Sequence, residues 1–182
     1  MSIEDFLYNK VSLRILAFLS RHSNKQFYQR EIAGRTGTSI GATNQSLNKL
    51  FKLGLISREK RGKMYFYSSN MDSAAIKYFK IFTNLVKLQT LVDSLSSISN
   101  QIILFGSCAK GEDTDESDID LFIHSEYPDK VREILKFFKL DRAIKPVIVN
   151  SLDFVSLKRK DKEFYKQIKD GIVLWRKKAS EL

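Results

Sequence analysis

Residues 104–123 read LFGSCAKGEDTDESDIDLFI, and the stretch from Glu112 to Asp120 holds six carboxylates in a chain whose formal net charge is +10. Two of these acids, Asp118 and Asp120, alternate with Ile119 and Leu121. Side chains two apart on a strand share a face, so the two carboxylates are expected to point together while their apolar neighbours point into a core. Carboxylates held this close repel unless a cation sits between them. A hard divalent ion such as Mg²⁺ takes oxygen ligands, keeps several waters, and is commonly shared between one or two carboxylates and substrate phosphates. Upstream, Gly106 lets the backbone approach a phosphate closely, and Ser107 adds a hydroxyl and an N–H donor where the next helical turn begins. Loop and strand are thus expected to be two halves of one site. A solvated strand face beside an acidic turn is the alternative, and Gly106-Ser107 argues against it. Glu112, Asp113, Asp115 and Glu116 are expected to be solvated loop residues.

The elements that must position these groups are legible around them. QIILFGS reads as a short buried strand entering Gly106, DIDLFIH as a strand with strict alternation, and AIKPVIVN, residues 143–150, as a further strand. The stretch DKEFYKQIKDGIVLW reads as a helix stopped by Gly171 with an apolar tail covering the sheet. Gly106-Ser107, a ten-residue spacer and Asp118-Ile119-Asp120 together resemble the signature of the nucleotidyltransferase superfamily that includes polymerase beta, kanamycin nucleotidyltransferase and the minimal nucleotidyltransferases. Apolar Leu104, Phe105, Ile119 and Leu121 sit where that motif expects them. Lys110 and Gly111 match its GS..[RK]G extension, and Ser117 matches the serine that precedes the first aspartate. The resemblance spans residues 99 to about 176. It implies that Gly106, Ser107 and Lys110 hold the triphosphate of a nucleoside triphosphate, and that Asp118 and Asp120 are the catalytic carboxylates that hold Mg²⁺. The reaction class it implies is transfer of a nucleoside monophosphate, by in-line attack on the α-phosphorus with pyrophosphate leaving. The family's third carboxylate normally lies on a following strand, where this chain has Lys145 and Pro146. Asp141 precedes that strand and Asp153 follows it; neither matches the pattern, so no catalytic base is assigned.

The N-terminal third has a different character. Ile3, Phe6, Leu7, Val11, Leu13, Ile15, Leu16 and Leu19 predict one helix with a broad apolar face over residues 3–20. A short second helix in FYQREIAGRTGT, with Ile32 inward, ends at Gly37; a third starts near Ser39 as N-cap and stops at Gly54. Two helices joined by a Gly-bearing turn form the helix-turn-helix pattern, and ISREKRGKMYFYSS then switches to period two around a Gly62 turn. Residues 3 to about 70 resemble the winged helix-turn-helix repressors, down to the ending Leu47, Leu50, Gly54, Leu55 and Ile56 of the third helix. With the apolar stripe inward, Ser39, Ala42, Asn44, Gln45, Asn48 and Lys49 are expected to face double-stranded DNA. Amide side chains there suit adenine edges, while Arg61 and Lys63 form a cationic hairpin tip suited to phosphate or minor groove.

Charge divides in the same way. Residues 1–72 carry 12 basic and 5 acidic side chains, a net +7, whereas residues 99–182 carry 16 and 15, a net +1. Such a basic segment fits nucleic acid before membrane. No apolar run reaches membrane-spanning length, and a single cysteine, Cys108, fits a reducing compartment, so the expected location is the cytoplasm. Between the two parts, Ala74, Tyr78, Ile81, Leu85, Leu88, Val92 and Leu95 follow a heptad spacing that predicts a dimer seam. Phe79, Phe82, Val86 and Leu91 widen that face, so packing on the chain's own domains competes with it.

The expected fold class is α+β: a winged helix-turn-helix over residues 1–72, a connecting helix over 73–98, and a nucleotidyltransferase-like mixed sheet with flanking helices over 99–182. The expected function is a homodimeric DNA-binding transcriptional regulator whose C-terminal domain binds Mg-NTP. The alternative is an active nucleotidyltransferase that transfers a nucleotide to a protein, RNA or small-molecule hydroxyl, with a protein partner such as the cognate toxin of minimal nucleotidyltransferases.

Overall fold

A computed structural model describes residues 10–178. The chain divides into two compact units, residues 1–80 and 81–182. Ile3, Phe6 and Leu7 of the predicted first helix lie outside the described residues.

In the first unit, helix α1 (Lys10–Arg21) buries Ile15, Leu16 and Leu19. A two-residue strand β1 (Phe27–Tyr28) leads into α2 (Gln29–Thr36), which Gly37 closes in the left-handed conformation at φ 61°. Helix α3 (Ile40–Lys52) starts on the Ser39 cap, whose Oγ accepts from the Ala42 N–H at 3.2 Å. Its apolar stripe, Leu47 and Leu50, joins Ile15, Leu16, Leu19 and Ile32 in one core. Strands β2 (Ile56–Arg61) and β3 (Met64–Ser69) then pair antiparallel around a turn at Gly62, φ 60°, and β1 adds to β3 on its other side. This is a winged helix-turn-helix, with β2 and β3 as the wing.

Helix α4 (Ala74–Ser96) contributes Ile76 to the first core and Leu88, Leu91, Val92 and Leu95 to a core of the second unit. The C-terminal half of the heptad seam is therefore not free for a partner chain: Leu88, Val92 and Leu95 are buried within the chain itself, whereas Ala74 is exposed and Ile81 and Leu85 are half-buried. Tyr78 of the seam stays exposed, in a row with Phe82 and Val86, at 72%, 61% and 58% exposure.

The second unit is built on a four-stranded sheet of order β6-β5-β4-β7. It comprises β4 (Gln101–Phe105), the short helix α5 (Gly106–Lys110), β5 (Ile119–His124), α6 (Pro128–Phe137), β6 (Ile144–Val149), α7 (Ser151–Lys160), α8 (Lys162–Lys169) and β7 (Ile172–Arg176). β5 and β6 are parallel, joined through α6; the other pairings are antiparallel. Pro146 is tolerated because β6 is an edge strand. Both faces of the sheet are covered. Ile102, Leu104, Ile119, Leu121 and Ile123 join the α4 side chains and Val131 of α6, whereas Ile103, Phe105 and Phe122 join Ile168 of α8. The expected apolar C-terminal tail is not a lid over the sheet but its fourth strand, β7, paired with β4.

Candidate functional site

The glycine-serine bend and the aspartate pair meet at one end of the sheet. β4 ends where β5 begins, with Phe105 opposite Asp120, so Gly106 leaves β4 beside the Asp120 side chain. The approach is closer than any other residue type permits: a Cβ on Gly106 would lie 2.3 Å from Asp120 Oδ2. Gly106 also has φ 70°, in the left-handed region that favours glycine. Ser107, the second residue of α5, is half-buried, and its carbonyl accepts from the N–H groups of Gly111 and Glu112. Lys110 closes α5 with its side chain exposed.

Asp118 stands just before β5 and Asp120 within it, two apart on the face shared with Phe122. Burial pushes the Asp120 carboxyl above the usual carboxylate range; Lys145 opposes that shift and the nearby Asp118 adds to it. Lys145 sits opposite Asp120 in the parallel β5–β6 register, and its Nζ lies 2.6 Å from Asp118 Oδ2. That hydrogen bond, together with the Asp118 charge, holds the ammonium above its ordinary pKa. Neither acid considered as a third carboxylate joins the pair. Asp141 Oδ2 accepts from Lys87 Nζ at 2.9 Å, and Asp153 lies in the first turn of α7, past the C-terminal end of β6 and so at the opposite end of the sheet. Among the described residues there is no group of three or more His, Cys, Asp or Glu set to hold a metal ion. Two carboxylates facing a backbone bend do fit a hard cation that completes its shell with water and substrate phosphate, the usual way Mg²⁺ is held beside a nucleotide. Asp118 and Asp120 would hold it, and it would supply charge neutralisation at the phosphates.

The acidic turn is more than a solvated loop. Asp113 is buried and accepts from Arg142 Nη1 at 2.6 Å, with only 5% and 6% of the two side chains exposed. Asn84 of α4 completes this cluster: its Nδ2 donates to Asp113 Oδ1 and to the Cys108 carbonyl, each at 3.2 Å, and its Oδ1 accepts from Arg142 Nη2 at 2.8 Å. The turn that carries the chain from α5 to Asp118 is thereby anchored from beneath. The Cys108 thiol, wholly buried beside it, is pushed up to about 11 by burial. Sequence spacing gave no sign of a partner for Asp113, because Arg142 is 29 residues away.

In the first unit, Ser39, Asn44 and Gln45 are exposed on α3, while Ala42, Asn48 and Lys49 are half-buried. Asn48 Nδ2 donates to Asn44 Oδ1 at 3.4 Å, so the two amides form a pair on that face. Ser39 serves first as the helix cap, its hydroxyl already accepting from the backbone. Arg61 departs from the expected free cationic tip: its Nε and Nη2 donate to Glu59 at 2.9 and 2.8 Å, and it bonds Gln26. Glu59 and Arg61 are two apart on β2, a same-face spacing that could have revealed the pairing. Lys63 remains exposed. Arg58, which no sequence motif singled out, lies over the rings of Phe51 and Tyr65 at 4.3 and 4.6 Å. A groove of about 700 Å³ is lined by Asn44 and Asn48 of α3 together with Arg58, Lys63 and Tyr65 of the wing.

A family model described as "Polymerase beta, Nucleotidyltransferase" matches residues 87–180, just over half of the chain. No curated protein matches the sequence. Among solved structures, a homodimeric winged helix-turn-helix DNA-binding domain, Mb0332 from Mycobacterium bovis, is 21% identical, covering 47% of this chain and 76% of its own at a TM-score of 0.40. Reduced HlyU from Vibrio cholerae is 24% identical over 49% of this chain and 83% of its own, with a TM-score of 0.37. MepR, a transcription regulator of the Staphylococcus aureus multidrug efflux pump MepA, is 21% identical over 52% of this chain and 70% of its own, with a TM-score of 0.42.

Proposed function

The chain belongs to the polymerase beta nucleotidyltransferase family, and from that premise we propose that it is a DNA-binding transcriptional regulator whose nucleotidyltransferase domain binds Mg-NTP. The observation that carries the DNA half is the shared groove: the Asn44–Asn48 amide pair and the cationic wing residues Arg58 and Lys63 line one groove. An α-helix fits the major groove of B-DNA, where paired amides read adenine and basic side chains meet phosphate. The nucleotide half rests on the apposition of Gly106 and Asp120, which supports a triphosphate seated on the Gly106-Ser107 bend near Lys110, with Mg²⁺ between it and the two aspartates.

Binding is favoured over transfer by one observation. Activation of an attacking hydroxyl calls for a base in reach, and the position opposite Asp120 on β6 carries the ammonium of Lys145 instead of an acid. Self-association into a homodimer draws support from the exposed row Tyr78, Phe82 and Val86 on α4. The free thiol of Cys108 fits a reducing compartment and supports action in the cytoplasm; no helix among the described residues is long and apolar enough to cross a membrane.

Calorimetric titration with each of the four Mg-NTPs tests the nucleotide half. Saturable binding by the wild type that weakens at least about tenfold, or about 1.4 kcal/mol, in Asp120→Ala is expected. Equal affinity in the two proteins would place the nucleotide elsewhere. Labelled nucleotide appearing on a protein, RNA or small hydroxyl acceptor would move the account to active transfer.

A further inference from the structure

The ion pair between Lys145 and Asp118 bears on how this site handles its metal, an inference that rests on the nucleotide reading of the same residues. Three charged groups converge where β5 and β6 begin: Asp118, Asp120, and Lys145 from the neighbouring edge strand. The parallel register sets Lys145 opposite Asp120, and its Nζ reaches Asp118 Oδ2 at 2.6 Å. Its side chain is 68% exposed, so the ammonium rides on a solvated, flexible stem and is not locked in the core. A divalent ion approaching Asp118 must therefore displace this ammonium or settle beside a like charge. The other acids considered for the site do not help it, since Asp141 is bonded to Lys87 and Asp153 lies at the far end of the sheet.

We propose that Lys145 is the resident counter-cation of the site: it keeps the nucleotide-free pocket from holding a divalent ion, so that the metal enters with the triphosphate. When the nucleotide seats, phosphate oxygens supply an alternative partner for the ammonium, and Asp118 is released to the incoming ion. Each cation ends this exchange beside an anion, the ammonium at phosphate and the metal ion at Asp118. The nucleotide-free protein is thus metal-poor by construction, and the metal reports the arrival of nucleotide.

Mn²⁺ titration of the nucleotide-free protein, followed by the electron-spin resonance signal of the free ion, tests this directly. Lys145→Met, which keeps an unbranched stem, is expected to bind Mn²⁺ about tenfold or more tightly than the wild type, the effect of removing one like charge at close range. Lys145→Asp, with a third carboxylate on the same sheet face, is expected to bind more tightly still. Should Lys145→Asp fail to fold, Lys145→Met decides the matter. Equal Mn²⁺ affinity in wild type and Lys145→Met overturns the proposal, even if Mg-NTP binds. If Lys145→Met gains Mn²⁺ affinity but no NTP binds to any of the proteins, the counter-cation stands and the nucleotide reading falls.

Discussion

Gly106→Ala perturbs the point where the two halves of the site touch. At φ 70° an alanine adopts a left-handed conformation that costs roughly 1–2 kcal/mol. Its Cβ would also lie 2.3 Å from Asp120 Oδ2, whereas ordinary contacts begin at 3.4 Å, so the carboxylate must retreat by about 1 Å. For a domain of about a hundred residues each kcal/mol lowers Tm by roughly 4–8 °C. The C-terminal unit of Gly106→Ala is therefore expected to melt roughly 4–16 °C lower. Displacing Asp120 should also weaken Mg-NTP by at least about tenfold, since a 1 Å shift in a preorganised site is not tolerated. Differential scanning calorimetry and nucleotide titration read the two effects separately. Gly62→Ala is the control: it has φ 60° with nothing within 4 Å of the added Cβ, so it carries only the backbone cost, in the N-terminal unit, and leaves nucleotide affinity unchanged. A Gly106→Ala protein with wild-type melting and wild-type nucleotide affinity would refute the apposition.

Neighbouring features carry further expectations. Arg142→Met takes the guanidinium from the buried Asp113 carboxylate and is expected to destabilise the C-terminal unit by about 3–5 kcal/mol in urea unfolding; adding Asp113→Leu should restore much of the loss, and a cost under about 1 kcal/mol would contradict a buried pair. Cys108, pushed up to about 11, should hold only about a thousandth of its thiol as thiolate at pH 8. Its modification by a disulfide reagent should therefore be slow in the native protein, faster as pH rises towards that value, and rapid in urea; fast labelling of native protein at pH 8 would contradict its burial. Phe82→Glu, in the exposed row of α4, is expected to convert a dimer to a monomer in sedimentation, and an unaltered dimer would locate the interface elsewhere.

Much of the architecture was legible because single residues punctuate it. Gly37, Ser39, Gly54 and Gly62 mark the turns and caps that define the helix-turn-helix and its wing, and each is used as its residue type predicts. The aspartate pair and the Gly106-Ser107 bend were equally readable, because period-two alternation fixes a shared face and only glycine suits the bend. What stayed hidden depends on partners distant in sequence. Lys145 shares one face of an edge strand with Val147, and the spacing alone does not say that this face meets Asp118. Asp113 looked solvated because its company was acidic, yet Arg142 and Asn84 approach it from 29 residues away on either side. The heptad on α4 was real as a pattern and ambiguous as a partner: it serves the chain's own core through Leu88, Val92 and Leu95. β7 could not be told from a covering tail, since a short apolar run after a helix suits either use.

Sequence reading by the recognition helix is measured by duplex selection from a random library, followed by affinity measurement on the selected site in wild type, Asn44→Ala and Asn48→Ala. A defined site is expected, whose binding falls steeply with salt and weakens roughly 5–150-fold in each variant, the equivalent of about 1–3 kcal/mol per base contact, while affinity for random duplex is unchanged. Failure to enrich any sequence, or variants that bind the selected duplex as tightly as the wild type, would contradict it.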